Sequence, residues 1–143
     1  VGKAGKNLDE FLAAIRLNRP DIYITNAVKF RPCRVSPKGT VSNRPPNRAE
    51  LACMQPLLLR ELEVVSPRVV VTLGNVPLKC LLGAGAAIGA LHAVPVEAHA
   101  LSHTFTLFPL YHPASVIYNP ALRSVYEQDL FKLRRLLDTL GIG

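Results

Sequence analysis

Apolar residues along this chain alternate between helical and strand-like spacing. After Asn7, a good helix cap, Leu8, Phe11, Leu12 and Ile15 recur every three or four residues and stop before Pro20, which predicts a helix. Asp21 to Val28 is rich in β-branched and aromatic residues and reads as a strand. Asn47, with Glu50 three residues on, has the pattern of a capping box. The helix it opens carries Leu51, Met54, Leu58, Leu62 and Val65 on one face, and Pro56 predicts a kink in it. Arg68 to Leu73 is a continuous apolar strand of the kind covered on both faces of a parallel sheet. Gly74 and Asn75 turn into a short helix with Leu78, Leu81 and Leu82, and Thr104 to Tyr111 is a further strand. Val125, Leu130, Leu133, Leu137 and Leu140 mark a last helix from about Ala121 to Leu140. Two stretches lack a clear period. Lys29 to Pro46 reads as a long loop with a Lys38-Gly39 turn, and Gly83 to Ser102 as a loop with one short strand.

This alternation predicts an α/β domain over residues 1–143, three-layered α/β/α, with a central parallel sheet and right-handed crossovers. The first helix has no strand before it, so a strand is expected to precede Val1. Three of the apolar runs end on chemistry-bearing residues: Ile22 to Asn26 on an amide, Val69 to Gly74 on a glycine, and Leu107 to His112 on a histidine followed by proline. In open α/β sheets, ligands bind at the carboxyl ends of the strands. An asparagine there suits a base or amide edge, and a histidine suits charge stabilisation or proton transfer.

At 49% apolar residues the chain is not a disordered one, and no apolar run reaches the roughly 20 residues of a membrane span. The net charge of +7 favours a polyanionic partner. Lys29, Arg31, Arg34, Lys38, Arg44 and Arg48 crowd one acid-free, proline-stiffened loop, a plausible phosphate clamp; solvated loop charge is the plainer reading. Cys33, Cys53 and Cys80 form no CxxC pair, so reduced thiols and a cytoplasmic location are expected.

The segments Val1 to Leu8, Tyr23-Ile24-Thr25-Asn26-Ala27-Val28-Lys29, Val71-Thr72-Leu73-Gly74, Tyr111-His112-Pro113-Ala114 and Asn119-Pro120 resemble, in order and spacing, the bacterial and archaeal family-four uracil-DNA glycosylases. The resemblance implies the uracil-DNA glycosylase fold, with about four strands when complete, and hydrolysis of the N-glycosidic bond of a uracil flipped out of DNA. It implies that Asn26 pairs with the uracil edge and that His112 sits at the uracil O2. Gly2 and Pro113 would line the base pocket. Lys29, Arg31, Arg34, Lys38, Arg44, Ala114, Ser115 and Tyr118 would face the DNA.

The chain departs from the family pattern at several points. Family-four enzymes hold a four-iron, four-sulfur cluster on four cysteines. Cys53 matches one of them, whereas Phe30 stands at another, with Cys33 three residues later. A thiolate is needed to hold iron, so no cofactor and no metal site is expected. Tyr118 stands where the family often has arginine. The family's first motif, Gly-Glu-Ala-Pro-Gly, with its water-positioning acid, would precede Val1. The loop after Lys29 is longer than usual and has no histidine, so covalent capture of the abasic sugar is not expected. The alternative reading is a non-catalytic relative that grips nucleic acid through residues 29–48. A third is a fragment that pairs through an exposed sheet edge.

Overall fold

The computed structural model describes residues 3–30 and 32–143. Gly2 and Arg31, expected at the base pocket and the DNA respectively, lie outside the described residues. Helix α1 runs Lys3–Ala14 and is followed by a 3-10 turn at Arg19–Asp21. A hairpin of β1 (Cys33–Val35) and β2 (Val41–Asn43) leads to α2 (Arg48–Val65). Then come β3 (Val69–Leu73), α3 (Asn75–Leu82), α4 (Ile88–Leu91), β4 (Val96–Ala100), β5 (His103–Leu110), α5 (Pro113–Tyr118) and α6 (Leu122–Thr139).

The central sheet has the order β3-β5-β4. Strands β3 and β5 are parallel, from Val69↔Thr106 to Leu73↔Leu110. Alternate side chains divide between two cores, as the pleat requires. Phe108 and Leu110, with Val69, Val71 and Leu73 against them, face Phe11, Leu12 and Ile15 of α1 and Tyr126, Leu130, Leu133 and Leu137 of α6. Phe105 and Leu107, with Val70, face Leu58 and Leu62 of α2 and Leu78 and Cys80 of α3. The three-layer α/β/α arrangement is therefore present. Buried Arg134 ties the layers at one end by donating to the carbonyls of Ile15 and Ile142 and to Asp138.

The sheet is not wholly parallel, and the described residues give it three strands. Strand β4 pairs antiparallel with β5, because only Leu101 and Ser102 join them and so short a link allows only a hairpin. Pro109 is tolerated in the central strand because β4's ladder stops at Leu107. Past that point the Pro109 carbonyl accepts the N–H of Ala93 instead. Residues 21–28, expected as a strand, form no ladder: Asp21 ends the 3-10 turn, and Tyr23 and Ile24 are exposed. Their β-branched and aromatic composition marks a half-buried surface rather than a backbone state. The expected loop 29–46 contains the β1–β2 hairpin, closed by a turn in which the Gly39 N–H bonds the Ser36 carbonyl. Helix α1 begins at Lys3, so Asn7 lies inside it and not at its cap. The capping box at Asn47 and Glu50 forms as the sequence predicts.

Gly74 shapes the reactive end. Its φ of +81° and ψ of −170° lie in a region open essentially to glycine alone, and its N–H bonds the Leu110 carbonyl across the sheet. A Cβ at this position would stand 3.2 Å from the Cβ of His112.

Two measurements check this packing. On α6, Leu133→Ala removes a fully buried side chain and should lower unfolding stability by roughly 2–5 kcal/mol. Phe131→Ala, on the exposed face of the same helix, should change it by less than about 0.5 kcal/mol. Gly74→Ala should cost of order 1–3 kcal/mol through backbone strain and shift the His112 ring resonances; unaltered resonances would contradict the close approach.

Candidate active site

Strand β5 delivers the chain through Tyr111 to His112, the N-cap of α5, with Pro113 at the first helical position. Nδ1 of His112 accepts the N–H of Ala114 at 3.0 Å, and the His112 carbonyl accepts the N–H of Ser115 at 2.9 Å. A ring nitrogen that accepts carries no proton, so in the neutral ring the proton resides on Nε2. Burial against the Gly74 side lowers the His112 pKa below the usual imidazole value, although the residue as a whole is exposed. At neutral pH the side chain is therefore an uncharged donor through Nε2–H, a group with no partner among the described residues. Just before it, the Tyr111 ring lies 5.0 Å from that of His92, whose Nδ1 is 2.7 Å from Oδ2 of buried Asp129.

The main-chain N–H groups of Ala114 and Ser115 are engaged at His112. Pro113 is buried at the start of the helix. Tyr118, by contrast, is 86% exposed at the end of α5 and is free to project.

Asn26 is exposed, and no hydrogen bond joins it to His112. Its position is set through Lys29, whose Nζ donates to the Asn26 carbonyl at 2.5 Å, to Thr25 Oγ1 at 2.6 Å and to Glu61 Oε1 at 2.7 Å. Glu61, on α2, also accepts from Thr25 Oγ1 at 3.1 Å and, through Oε2, from the Tyr23 hydroxyl at 2.6 Å. Burial acts to raise the Glu61 pKa, but the hydrogen bonds from Lys29, Tyr23 and Thr25 together outweigh it and hold the carboxyl below its usual range. The same carboxylate raises the Tyr23 pKa.

The basic segment divides into engaged and available cations. Lys29 is held as described. Arg44 forms a two-pronged bridge to Glu50 at 2.6 and 3.0 Å and donates to the Cys33 carbonyl. That bridge, with the main-chain N–H of Asn47, holds the Glu50 pKa down at about 2. Arg34, Lys38 and Arg48 are exposed and enter no ion pair among the described residues. Both strands of the hairpin are solvent-exposed along their length. A separate concavity, lined by Arg68, Glu97, Thr104, Phe105, Thr106 and Leu140, sits at the opposite end of β3 and β5 from His112.

Sequence reasoning missed Glu61, His92 and Asp129. Two of them leave a signal: Asp129 interrupts the apolar stripe of α6 between Tyr126 and Leu133, and Glu61 borders Leu58 and Leu62 on α2. An acid on an apolar face calls for a partner.

Cys33 and Cys53 are exposed and Cys80 is buried; all three thiols are free. Burial raises the Cys80 pKa, making it an inert thiol. Among the described residues no group of three or more His, Cys, Asp or Glu side chains is placed to hold a metal ion.

A family model, the uracil DNA glycosylase superfamily, matches residues 1–134. The chain is 33% identical over 144 residues to a type-4 uracil-DNA glycosylase of Sulfurisphaera tokodaii, covering 97% of this chain and 62% of that one. It is 35% identical over 140 residues to that of Archaeoglobus fulgidus, covering 95% and 66%. With that of Saccharolobus solfataricus it shares 33% over 147 residues, covering 99% and 64%. The chain thus spans slightly less than two thirds of the length of these relatives. Their type-4 naming overturns the expectation of a cofactor-free protein, since that is the family whose members hold an iron–sulfur cluster. Toward the four thiolates of such a cluster the described residues offer the exposed Cys33 and Cys53 and do not complete the set by themselves. Among the described residues no helix is long and apolar enough to cross a membrane. The fold, the glycine-backed histidine at its sheet edge and the match across residues 1–134 place the chain in the uracil DNA glycosylase superfamily.

Proposed function

We propose that this chain carries the uracil-recognising and leaving-group half of a uracil-DNA glycosylase, which hydrolyses the bond between a flipped-out uracil and its deoxyribose as the first step of base excision repair. The observation that carries this reading is the hydrogen bond that fixes His112 as a neutral Nε2–H donor. As the N1–C1′ bond breaks, its electron pair passes to the uracil ring and negative charge builds on O2. A donor already in place there lowers the barrier without reorganising. Water adds to C1′ of the sugar and its displaced proton ends on the departing base, so uracil and an abasic site are the products.

Asn26 reads the other edge of the base. Its carboxamide offers a donor to O4 and an acceptor to N3–H, whereas cytosine presents an amino donor and a bare ring nitrogen there. The mismatch leaves buried polar groups unpaired, the costly outcome that makes such a site selective. Among the chain's acids, Asp9, Glu50 and Glu61 are all tied to cations, so activation of the water is not assigned to any of them. Arg34, Lys38 and Arg48 contact the DNA phosphates, and exposed Tyr118 lies beside the gap left by the extruded base. The free thiols accord with a reducing, cytoplasmic setting.

The exposed hairpin favours a second reading, a relative that binds nucleic acid without cutting it. Release of uracil from a uracil-containing oligonucleotide separates the two. His112→Ala should slow release by roughly 10²–10³-fold. A wild-type chain inactive on both single- and double-stranded uracil DNA would defeat the enzymatic reading. The pH profile has a definite sign. Because the His112 pKa is lowered, the neutral ring already predominates at the ordinary imidazole value and above it. Activity should therefore stay flat through neutrality and fall only as pH drops through the depressed value. For either reading, replacing Arg34 and Lys38 together by Ala should reduce the slope of log affinity against log salt by about 2.

A further inference from the structure

Residues 22–28 reach Asn26 without a helix or a ladder to hold them, yet this is the segment on which base recognition is proposed to depend. Buried Ala27 anchors it in one core and partly buried Ile22 in the other. Between these anchors its polar groups converge on a single side chain of another element. Tyr23, Thr25 and Lys29 all donate to the two oxygens of Glu61, and Lys29 passes the constraint on by donating to the Asn26 carbonyl.

We propose that Glu61 is a positioning residue for base recognition, a carboxylate on α2 that fixes the Asn26 segment through Lys29, Thr25 and Tyr23 and so sets where the Asn26 carboxamide meets the base. The proposal rests on the reading of Asn26 as the base-edge residue. An ordinary surface ion pair contributes little, because two long side chains must be ordered in water for one contact. Here three donors from residues 23–29, Tyr23, Thr25 and Lys29, converge on one carboxylate, and such a network can be worth more than the sum of its pairs. A general-base role is the competing assignment for an acid so close to the site. It fails on two counts: both carboxylate oxygens already accept hydrogen bonds, and those bonds hold the carboxyl below its usual range, making it a poor proton acceptor near neutrality. Glu61 touches neither base nor sugar in this scheme and acts only through Lys29 and its neighbours.

The test uses the full 143-residue chain with Glu61→Gln, Glu61→Ala and Glu61→Asp. In single-turnover uracil release, the Gln and Ala variants should be slower by roughly 10–100-fold, the loss that follows a misplaced binding group. The chain should still unfold in one cooperative transition and its affinity for uracil-free DNA should not fall, because Lys29 is released rather than lost, and Glu61→Asp should recover part of the rate. A general base would instead shift the acid limb of the pH–rate profile, so such a shift in Glu61→Asp overturns the positioning role. A second measurement does not depend on turnover: in Glu61→Gln the amides of residues 23–28 should lose hydrogen-exchange protection and the Asn26 side-chain amide resonances should broaden. If the wild type releases no uracil while these amide signals still change, the glycosylase reading fails and the Glu61 constraint stands. If neither the rate nor the Asn26 signals change, the Glu61 assignment is wrong.

Discussion

The hydrogen bond from the Ala114 N–H to Nδ1 of His112, 3.0 Å long, is the constraint on which the reactive end of this fold depends. It converts backbone geometry into a protonation state. Pro113 holds φ at a helical value and has no N–H of its own, so the first donor after the histidine is that of Ala114. That donor meets Nδ1, and the proton of a neutral imidazole is left on Nε2. A protonated ring would set two N–H groups against each other at this point. The burial that lowers the His112 pKa therefore acts in the same sense as the hydrogen bond. Gly74 makes the arrangement possible, since a Cβ there would press on that of His112 at 3.2 Å, and the Gly74 N–H ties the end of β3 to Leu110.

The two side chains proposed to act on the base are held by different physics. His112 stands one residue past a strand whose residues 107–110 are all buried and whose parallel ladder runs to Leu110. Its position is thus as stable as the core. Asn26 has no such support; its segment is fixed by side-chain hydrogen bonds to Glu61, an element away on α2. The proposed leaving-group donor is consequently placed by packing, which salt leaves alone. The proposed base-reading amide is placed through charged contacts, which salt screens.

Much of this was legible in the sequence wherever periodicity and burial agree. The helices over residues 48–65 and 122–139 and the strands at Val69–Leu73 and His103–Leu110 stand close to where apolar spacing puts them. The Asn47 cap forms because its chemistry is local. Strand direction was not legible: β4 runs antiparallel through a two-residue link hidden in an Ala-rich stretch with no period. Residues 21–28 deceived for the opposite reason. They have strand composition, but their polar atoms find Glu61 instead of a neighbouring backbone, and nothing local encodes that partner. At the site, the residue types of Asn26, Gly74 and His112 were readable, whereas the tautomer of His112 and the reach of Glu61 exist only in three dimensions.

Charge shows the same limit. A count gives six cations between Lys29 and Arg48 and treats them alike. In the fold, Lys29 and Arg44 are internal struts, the first under Asn26 and the second joining the base of the hairpin to α2 through Cys33 and Glu50. A lone two-stranded hairpin is only marginally stable in water, so the Arg44 bridge is what allows β1 and β2 to stand clear of the core. Removing Arg44 would therefore release the arm that carries Arg34 and Lys38, since its bonds to Cys33 and Glu50 are what hold that arm to α2. The electrostatic face of this domain is set less by its net charge of +7 than by which cations the two acids of α2, Glu50 and Glu61, have already claimed.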